Sequence, residues 1–251
     1  MAALEPVCVK AKHFFRALFY PGLDLHTRNR AVLSRFWKSG RRDVLDAGSG
    51  NGYFAWLAYK SGARVVALNF DVQQVQKANE FLIDYKKADP ARLQIEQRNL
   101  YDLENEVRIF DEIICFEVLE HLKDDERVVR QFYRILRPGG LLHVCCPYAR
   151  HGRHQAEVLD RHETGGHVRA GYTREDYRRL LEPVGFSIEE FVGIGPPAVY
   201  RVDKILRYIR NRFGDILALP LLPLALPVVW AARINPTVPF SLYVRASKRG
   251  D

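Results

Sequence analysis

The stretch DVLDAGSGNG, residues 43–52, constrains the fold more than any other part of the chain. A segment of buried-strand character runs into glycines spaced G-x-G-x-G, and YFAWLAYKSG follows at once with helical spacing of its apolar positions. Glycine takes left-handed backbone conformations without steric penalty, so this turn can fold sharply and open a helix with bare N–H groups. A strand that feeds a helix in this way returns beside itself in parallel, which calls for a sheet covered on both faces.

The remaining segments repeat the alternation. RVVALNF, LQIEQRNL, FDEIICFE, LLHVCCPY and FSIEEFVGIG read as strands two to six. Between them, VQQVQKANEFLIDYKK, DDERVVRQFYRIL and TREDYRRLLEPVG read as helices, the last opened by a Thr N-cap. PFSLYVRASK alternates apolar and polar residues like an antiparallel strand at an exposed edge. The expected class is therefore α/β, a doubly wound, mostly parallel seven-stranded sheet with an antiparallel last strand.

Three regions follow: a basic helical segment over 1–42, a main domain over 43–195 plus 239–251, and an insertion over 196–238. At 251 residues, with 47% hydrophobic and 27% charged residues, the chain can bury one full core. Its net charge of +8 is unevenly placed: residues 1–42 and 201–251 are both strongly basic, while 43–200 carry an acidic excess. Two basic ends should clamp something anionic. The four cysteines, Cys8, Cys115, Cys145 and Cys146, have no zinc-ligand spacing, and three lie in strand-like runs, as in a reducing compartment. The first residues carry Glu5, Lys10 and Lys12, too many charges for a signal-peptide core.

Asp46 sharpens the reading of the glycine turn. A carboxylate two residues before the first glycine would repel a pyrophosphate but suits a ligand with a cationic end. VLDAGSGNGYFAWLA, followed by FDEIICFEVLEHLKDDERVVRQFYRILRPGGLLHVCCP, resembles the class I S-adenosylmethionine-dependent methyltransferases over residues 43–195. The branch it is most similar to holds the ubiquinone-pathway O-methyltransferases and bacterial enzymes encoded among glycan and lipid genes. The resemblance implies the Rossmann-like methyltransferase fold, with S-adenosylmethionine as cofactor. It places Gly48, Ser49, Gly50 and Gly52 along the methionine part, with Asp46 near the ammonium. It also assigns cofactor contacts to Phe70, Leu100 and Phe116.

Two positions depart from the family pattern. Asn69 stands at the end of strand two, where an acid normally receives the ribose hydroxyls. Asn99 replaces the acid that usually meets the adenine amino group. An amide oxygen still accepts hydrogen bonds without charge assistance, and Asp71 or Asp102 could compensate.

EVLEH spaces Glu117, Glu120 and His121 so that one helical turn would put them on one face. A similar E-x-x-E-H binds magnesium in some relatives by the resemblance. The packing reading, with no metal ligand among them, is preferred here because the further histidine of those sites has no assigned position. The segment after strand five holds His151, His154, His162 and His167 with Glu163, Arg169 and Tyr172. His167 is the expected base, with His121 and Tyr172 as the other catalytic candidates, for transfer to a hydroxyl.

ILALPLLPLALPVVWAA, residues 216–232, lies inside the insertion. As a helix it would be about 25 Å long, short of a roughly 30 Å bilayer core, and its prolines would leave carbonyls unpaired in lipid. YRVDKILRYIRNRFG before it places Val202, Ile205, Leu206, Ile209 and Phe213 on one helical face among basic residues. The insertion is read as an interfacial anchor on anionic lipid, the alternative being a protein-only lid. The N-terminal pair of helices, with Phe14, Phe15, Leu18 and Phe19, offers a second lipid contact. The expected protein is a cytoplasmic, inner-membrane-associated methyltransferase acting on a small-molecule or lipid-linked hydroxyl. A turnover-deficient docking scaffold and an RNA methyltransferase are the alternatives. Nucleic acid is disfavoured because aliphatic side chains, rather than stacking aromatics, interleave the basic residues.

Overall fold

The computed structural model describes residues 13–14, 20, 25–149, 159–160, 162–163, 165–214, 218–230 and 235–250. Seven strands form one sheet in the order β3-β2-β1-β4-β5-β7-β6. They are β1 Asp43–Ala47, β2 Arg64–Asn69, β3 Leu93–Gln97, β4 Phe110–Phe116, β5 Leu136–Pro147, β6 Phe186–Ile194 and β7 Ser241–Lys248. β1 to β5 run parallel, and β7 is antiparallel to both β5 and β6.

The antiparallel last strand is as expected, but its place is not. β7 lies between β5 and β6 rather than at the edge, and Leu242, Tyr243, Val244 and Ala246 are all buried. Its period-two pattern mimics an edge because Arg245 and the terminal Ser247 and Lys248 reach partial exposure between buried neighbours. Inserting β7 leaves β6 as the edge on that side.

Alternation along each strand divides the core between two faces. Leu45 and Ala47 pack on one side with Phe132, Tyr177 and Leu181, while Val44 packs on the other with Ala55, Phe81 and Leu82. The helices with described bounds are α1 Leu25–Arg30, α2 Tyr53–Lys60, α3 Val72–Asn79, α4 Asp125–Ile135, α5 Arg174–Leu181, α6 Pro197–Phe213 and α7 Leu222–Trp230. Local chemistry sets several starts. Asp71 caps α3 by accepting the Gln73 and Gln74 N–H groups, and Thr173 with Asp176 makes a reciprocal capping box on α5.

A third apolar cluster stands apart from the sheet. Leu25 of α1, Val199 and Leu206 of α6, Ala218, and Leu222, Ala225 and Val229 of α7 bury one another. Among its described residues, Ala218, Leu222, Ala225 and Val229 of the apolar run thus pack against protein, while Pro220, Pro223, Leu224 and Pro227 are exposed. On α6, Val202 and Ile209 join this cluster with Leu206, whereas Ile205 is 58% exposed and Phe213 55% exposed. The expected single apolar face is thus split between packing and solvent. No helix among the described residues is long and apolar enough to cross a membrane. Of the N-terminal pair, Phe14 is exposed, and Phe15, Leu18 and Phe19 lie outside the described residues.

Candidate active site

Strand order reverses between β1 and β4, and ligands of open α/β sheets bind at the carboxyl ends of strands at such a point. Gly48 follows β1 there and Glu117 follows β4. Both line two adjoining cavities, one of about 350 Å³ and one of about 790 Å³, together with Gly50 and Gln74.

The turn after β1 uses its glycines in different ways. All three have left-handed backbones, at φ 88° for Gly48, 52° for Gly50 and 81° for Gly52. A Cβ on Gly48 would lie 2.3 Å from Val118 Cγ2, and one on Gly52 would lie 2.7 Å from Leu82 Cδ1. These two are small so that the protein can close on itself. At Gly50 a Cβ would meet only Gln74 Oε1, at 3.9 Å, and would project into space shared by the cavities. That is the opening a ligand needs for close backbone approach. Gly52 lies behind the wall, donating its N–H to the Ser49 carbonyl.

Asp46 lies behind the turn as well, 2% exposed, and forms no part of either cavity wall. Its Oδ2 has no hydrogen-bond partner, and burial pushes its pKa up to about 7 against the opposing effect of the Ala55 N–H. A nearby ligand cation would favour the ionised form. Asp46 is therefore placed to act by charge through the turn, and the contact expected of it is indirect.

The smaller cavity collects Asn69, Phe70, Asn99 and Leu100 beside Gly48 and Gly50. The Asn69 amide donates weakly to the Gly50 carbonyl at 3.4 Å, and its oxygen accepts the Asp71 N–H at 3.0 Å. Asn99 caps a short 3-10 turn by accepting the Tyr101 N–H. Neither Asp71 nor Asp102 lines the cavity. Asp71 is occupied as a helix cap and Asp102 is exposed, so the suggested compensation by these acids has no geometric support. Ser49 and Phe116 line the larger cavity instead.

Around β4 the expected helical turn is absent. Glu117 has φ 55°, a left-handed conformation that a non-glycine residue seldom holds away from functional sites. The chain then makes a 3-10 turn over Leu119–His121. Glu117 is thereby directed to Arg30 of α1, with Nη2 to Oε2 at 2.8 Å, and it accepts a hydrogen bond from Ser241 Oγ. Glu120 instead is fully buried, with neither carboxylate oxygen hydrogen-bonded by a nitrogen or oxygen donor. Burial, reinforced by the Glu117 charge, raises its pKa well above the carboxylate range.

His121 and His167 meet edge to face, their centroids 4.8 Å apart. The His121 Nδ1–H donates to the Gly166 carbonyl, 2.9 Å away, and burial lowers its pKa towards the neutral ring. The Val168 N–H donates to the Glu120 carbonyl, which pins His167 beside this turn. One ligand atom from each of Glu120, His121 and His167 lies within 4.8 Å of the others. The histidine missing from the sequence-level argument is thus supplied, and the ground for preferring packing alone is removed. One buried carboxylate and two imidazoles fit the donor chemistry of a divalent cation.

Tyr172 is not a catalytic candidate in this geometry. It is 2% exposed, and its hydroxyl donates to Asp125 Oδ2 at 2.5 Å. The same carboxylate receives Arg169 Nη1 at 2.6 Å, so Tyr172 and Arg169 fasten the loop to the start of α4. Among the other loop residues, His162 is exposed and Glu163 accepts the Tyr101 hydroxyl at 2.8 Å. His151 and His154 lie outside the described residues.

The larger cavity is closed opposite the glycine turn by residues that composition hinted at but no motif marked. His26, Thr27 and Arg30 come from α1, and Tyr200, Arg207 and Arg210 from α6.

A methyltransferase-domain family model matches residues 23–190. The chain belongs to the class I S-adenosylmethionine-dependent methyltransferases. It is 31% identical over 157 residues to a probable S-adenosylmethionine-dependent methyltransferase of Mycolicibacterium smegmatis, covering 61% of this chain and 55% of that one. It is 27% identical to a ubiquinone biosynthesis O-methyltransferase of Nitrosospira multiformis, covering 49% of this chain and 50% of that protein. The chain spans about half the length of these curated relatives. An S-adenosylmethionine-dependent methyltransferase structure from Mesorhizobium loti shares the fold, with a TM-score of 0.57 at 18% identity over 90% of this chain and 100% of that one. S-adenosylmethionine is thus the family's cofactor, and the open space at Gly50 between the cavities fits it.

Proposed function

We propose that this methyltransferase transfers a methyl group to a hydroxyl of a lipid, quinone or lipid-linked glycan at a membrane surface. The observation that carries the reading is the joining of a narrow cavity to a larger one at Gly48, Gly50 and Glu117, with His167 on the larger wall. S-adenosylmethionine supplies an electrophilic methyl on a sulfonium and leaves as a neutral thioether. Asn69, Phe70, Asn99 and Leu100 would hold its nucleoside end in the smaller cavity. The glycine turn would fix its other end, aiming the methyl into the larger cavity.

There His167 would take the proton of an acceptor hydroxyl held in line with the methyl that the cofactor supplies. Orientation supplies most of the acceleration, and a positioned base adds typically 10²–10⁴-fold. His121 stacks edge-on against His167 and orients it. His167→Ala is expected to lower kcat by roughly 10²-fold while S-adenosylhomocysteine affinity, measured by calorimetry, stays within about twofold. Equal losses in both would remove His167 from the base role. If a cation at Glu120, His121 and His167 held the acceptor oxygen instead, chelation would abolish turnover; activity surviving thorough chelation would leave His167 as the base and return Glu120 and His121 to packing.

Membrane association rests on the outward side of α6 and α7. Ile205, Tyr208, Phe213 and Leu224 are exposed by 55–75%, beside exposed Arg201, Lys204 and Arg212. Exposed apolar residues among cations suit the interface of an anionic bilayer. Similarity to ubiquinone O-methyltransferases, whose names specify O-methylation, is consistent with a hydroxyl acceptor.

A further inference from the structure

The basic excess of the two chain ends converges in space. α1 and α6 pack together through Leu25, Val199 and Leu206, and each turns cationic residues to the larger cavity. Arg30, Arg207 and Arg210 all line it, and Glu117 is the only carboxylate among its described lining residues. Arg30 already pairs with that carboxylate at 2.8 Å.

Arg207 and Arg210 stand three residues apart on α6, a spacing that places side chains on one side of a helix. Asp203, one turn earlier and 1% exposed, sets the first of them. Its Oδ2 forms an ion pair with Arg207 Nε at 2.8 Å, and its Oδ1 accepts the Leu25 N–H at 3.1 Å. This ion pair uses Nε, while Nη1 and Nη2 carry four further N–H donors in the planar fork that matches phosphate oxygens.

Beside the arginines lies a stack of aromatic rings. His26 stacks on Phe240 with centroids 4.3 Å apart and planes 21° apart, and Tyr200 stacks on Phe240 at 5.5 Å. A wall combining fork donors with ring faces suits a ligand that has both an anionic group and an apolar or ring-shaped body.

We propose that Arg207 and Arg210 bind a phosphate ester of the methyl acceptor, whose body lies on the His26, Phe240 and Tyr200 stack while its hydroxyl faces His167. This rests on the proposed transfer reaction and adds the acceptor's chemical class. Asp203 is a positioning residue: it orients Arg207 and joins α1 to α6. The exposed cations Arg201, Lys204 and Arg212 of the same helix do not line the cavity.

The test uses the full chain loaded with S-adenosylhomocysteine, with a chelator present so that no cation bridges to the probe. Inorganic pyrophosphate is titrated by calorimetry, and phosphatidylcholine vesicles containing phosphatidic acid are tested by flotation in a parallel arm. Pyrophosphate is expected to bind, and Arg207→Gln with Arg210→Gln to weaken it about tenfold or more. S-adenosylhomocysteine affinity should stay within about twofold, and Arg201→Gln, Lys204→Gln and Arg212→Gln together should leave pyrophosphate binding unchanged. Vesicle binding that is lost in the cavity pair, and competed by pyrophosphate, assigns the phosphate to a lipid headgroup. Pyrophosphate binding without such competition assigns it to a soluble phosphate ester.

Three results overturn the proposal. They are no pyrophosphate binding by the cofactor-loaded protein, equal weakening by the exposed triple, or a parallel loss of S-adenosylhomocysteine affinity in the cavity pair. The last would mean that the arginines serve the cofactor's carboxylate. Failure to bind S-adenosylhomocysteine at all strikes the transferase reading instead, so the two failures are separable.

Discussion

The two walls of the larger cavity are built by opposite means. The glycine wall comes from contiguous chain at the ends of β1 and β4, held by the sheet, with side chains removed so that backbone can approach a ligand. The arginine wall comes from α1 and α6, distant in sequence, held by a small separate apolar cluster and one buried aspartate. The first wall is rigid and generic, as a shared cofactor requires. The second is rich in long side chains and is tied to the sheet through Arg30, which pairs with Glu117 and donates to Ser241 Oγ.

Substitutions can set the walls against each other. The largest effect is expected at Gly50. Gly50→Val would fill the space between the cavities and should reduce S-adenosylhomocysteine affinity by roughly 100-fold or more, with little change in the arginine wall. Calorimetry showing normal affinity would remove the cofactor from this turn. Both variants carry the left-handed backbone's cost of about 1–2 kcal/mol, but Gly48→Ala should act differently, because its Cβ would strike Val118 inside the protein. Its Tm should fall as well as its affinity.

Asp203→Ala should strike the other wall. Losing a buried acceptor for the Leu25 N–H and the partner of Arg207 is expected to cost roughly 2–3 kcal/mol. Hydrogen exchange should accelerate first in α1, α6 and α7, while cofactor affinity remains. Uniform destabilisation across the sheet would show that the walls are not independent.

Asp46 offers a smaller, pH-dependent effect. Its pKa is raised to about 7, so the native state holds a proton that the unfolded chain releases near pH 4. Apoprotein stability should therefore fall as pH rises from about 4 towards 7, then level off. A cationic ligand favours the ionised carboxylate, so cofactor affinity should rise through the same upper range. Asp46→Asn should flatten both profiles, and an unchanged slope in that variant would exonerate Asp46.

The smallest effect on stability should come from the exposed apolar set. Ile205→Ser with Leu224→Ser is expected to change unfolding free energy by no more than about 0.5 kcal/mol each, while reducing flotation with anionic vesicles. Leu222 is unsuitable for this test because it is 3% exposed within the helical cluster. Its replacement would confuse lost packing with lost lipid contact.

What the sequence made legible follows the same division. Period-two and helical patterns, together with three glycines at fixed spacing, are local signals, and they located all seven strands and the cofactor turn. β7 misled because alternation reports which side chains are buried, not which strands flank the pair. Tyr172 misled because its position in a histidine-rich loop says nothing of Asp125, which holds its hydroxyl from elsewhere in the chain. Glu117 and Glu120 were marked by spacing, yet the left-handed backbone at Glu117 turns them to different partners. Arg207 and Arg210 read as part of a basic helix face on lipid and Arg30 as part of a charge imbalance, since their convergence on one cavity depends on tertiary packing.

One pair of hydrogen bonds bears on how such an enzyme can diversify. The Gly193 N–H donates to Asn235 Oδ1 at 2.7 Å, and the Asn235 N–H returns to the Gly193 carbonyl at 2.8 Å. The excursion carrying α6 and α7 thus leaves and rejoins the sheet edge at one place, where the Phe240 N–H also donates to the Ile194 and Gly195 carbonyls. Such a segment is a cassette: its length and composition can drift, or be exchanged between homologues, while β6 and β7 keep their register. Acceptor range can then evolve by replacing a handle, leaving the blade that holds the methyl donor untouched.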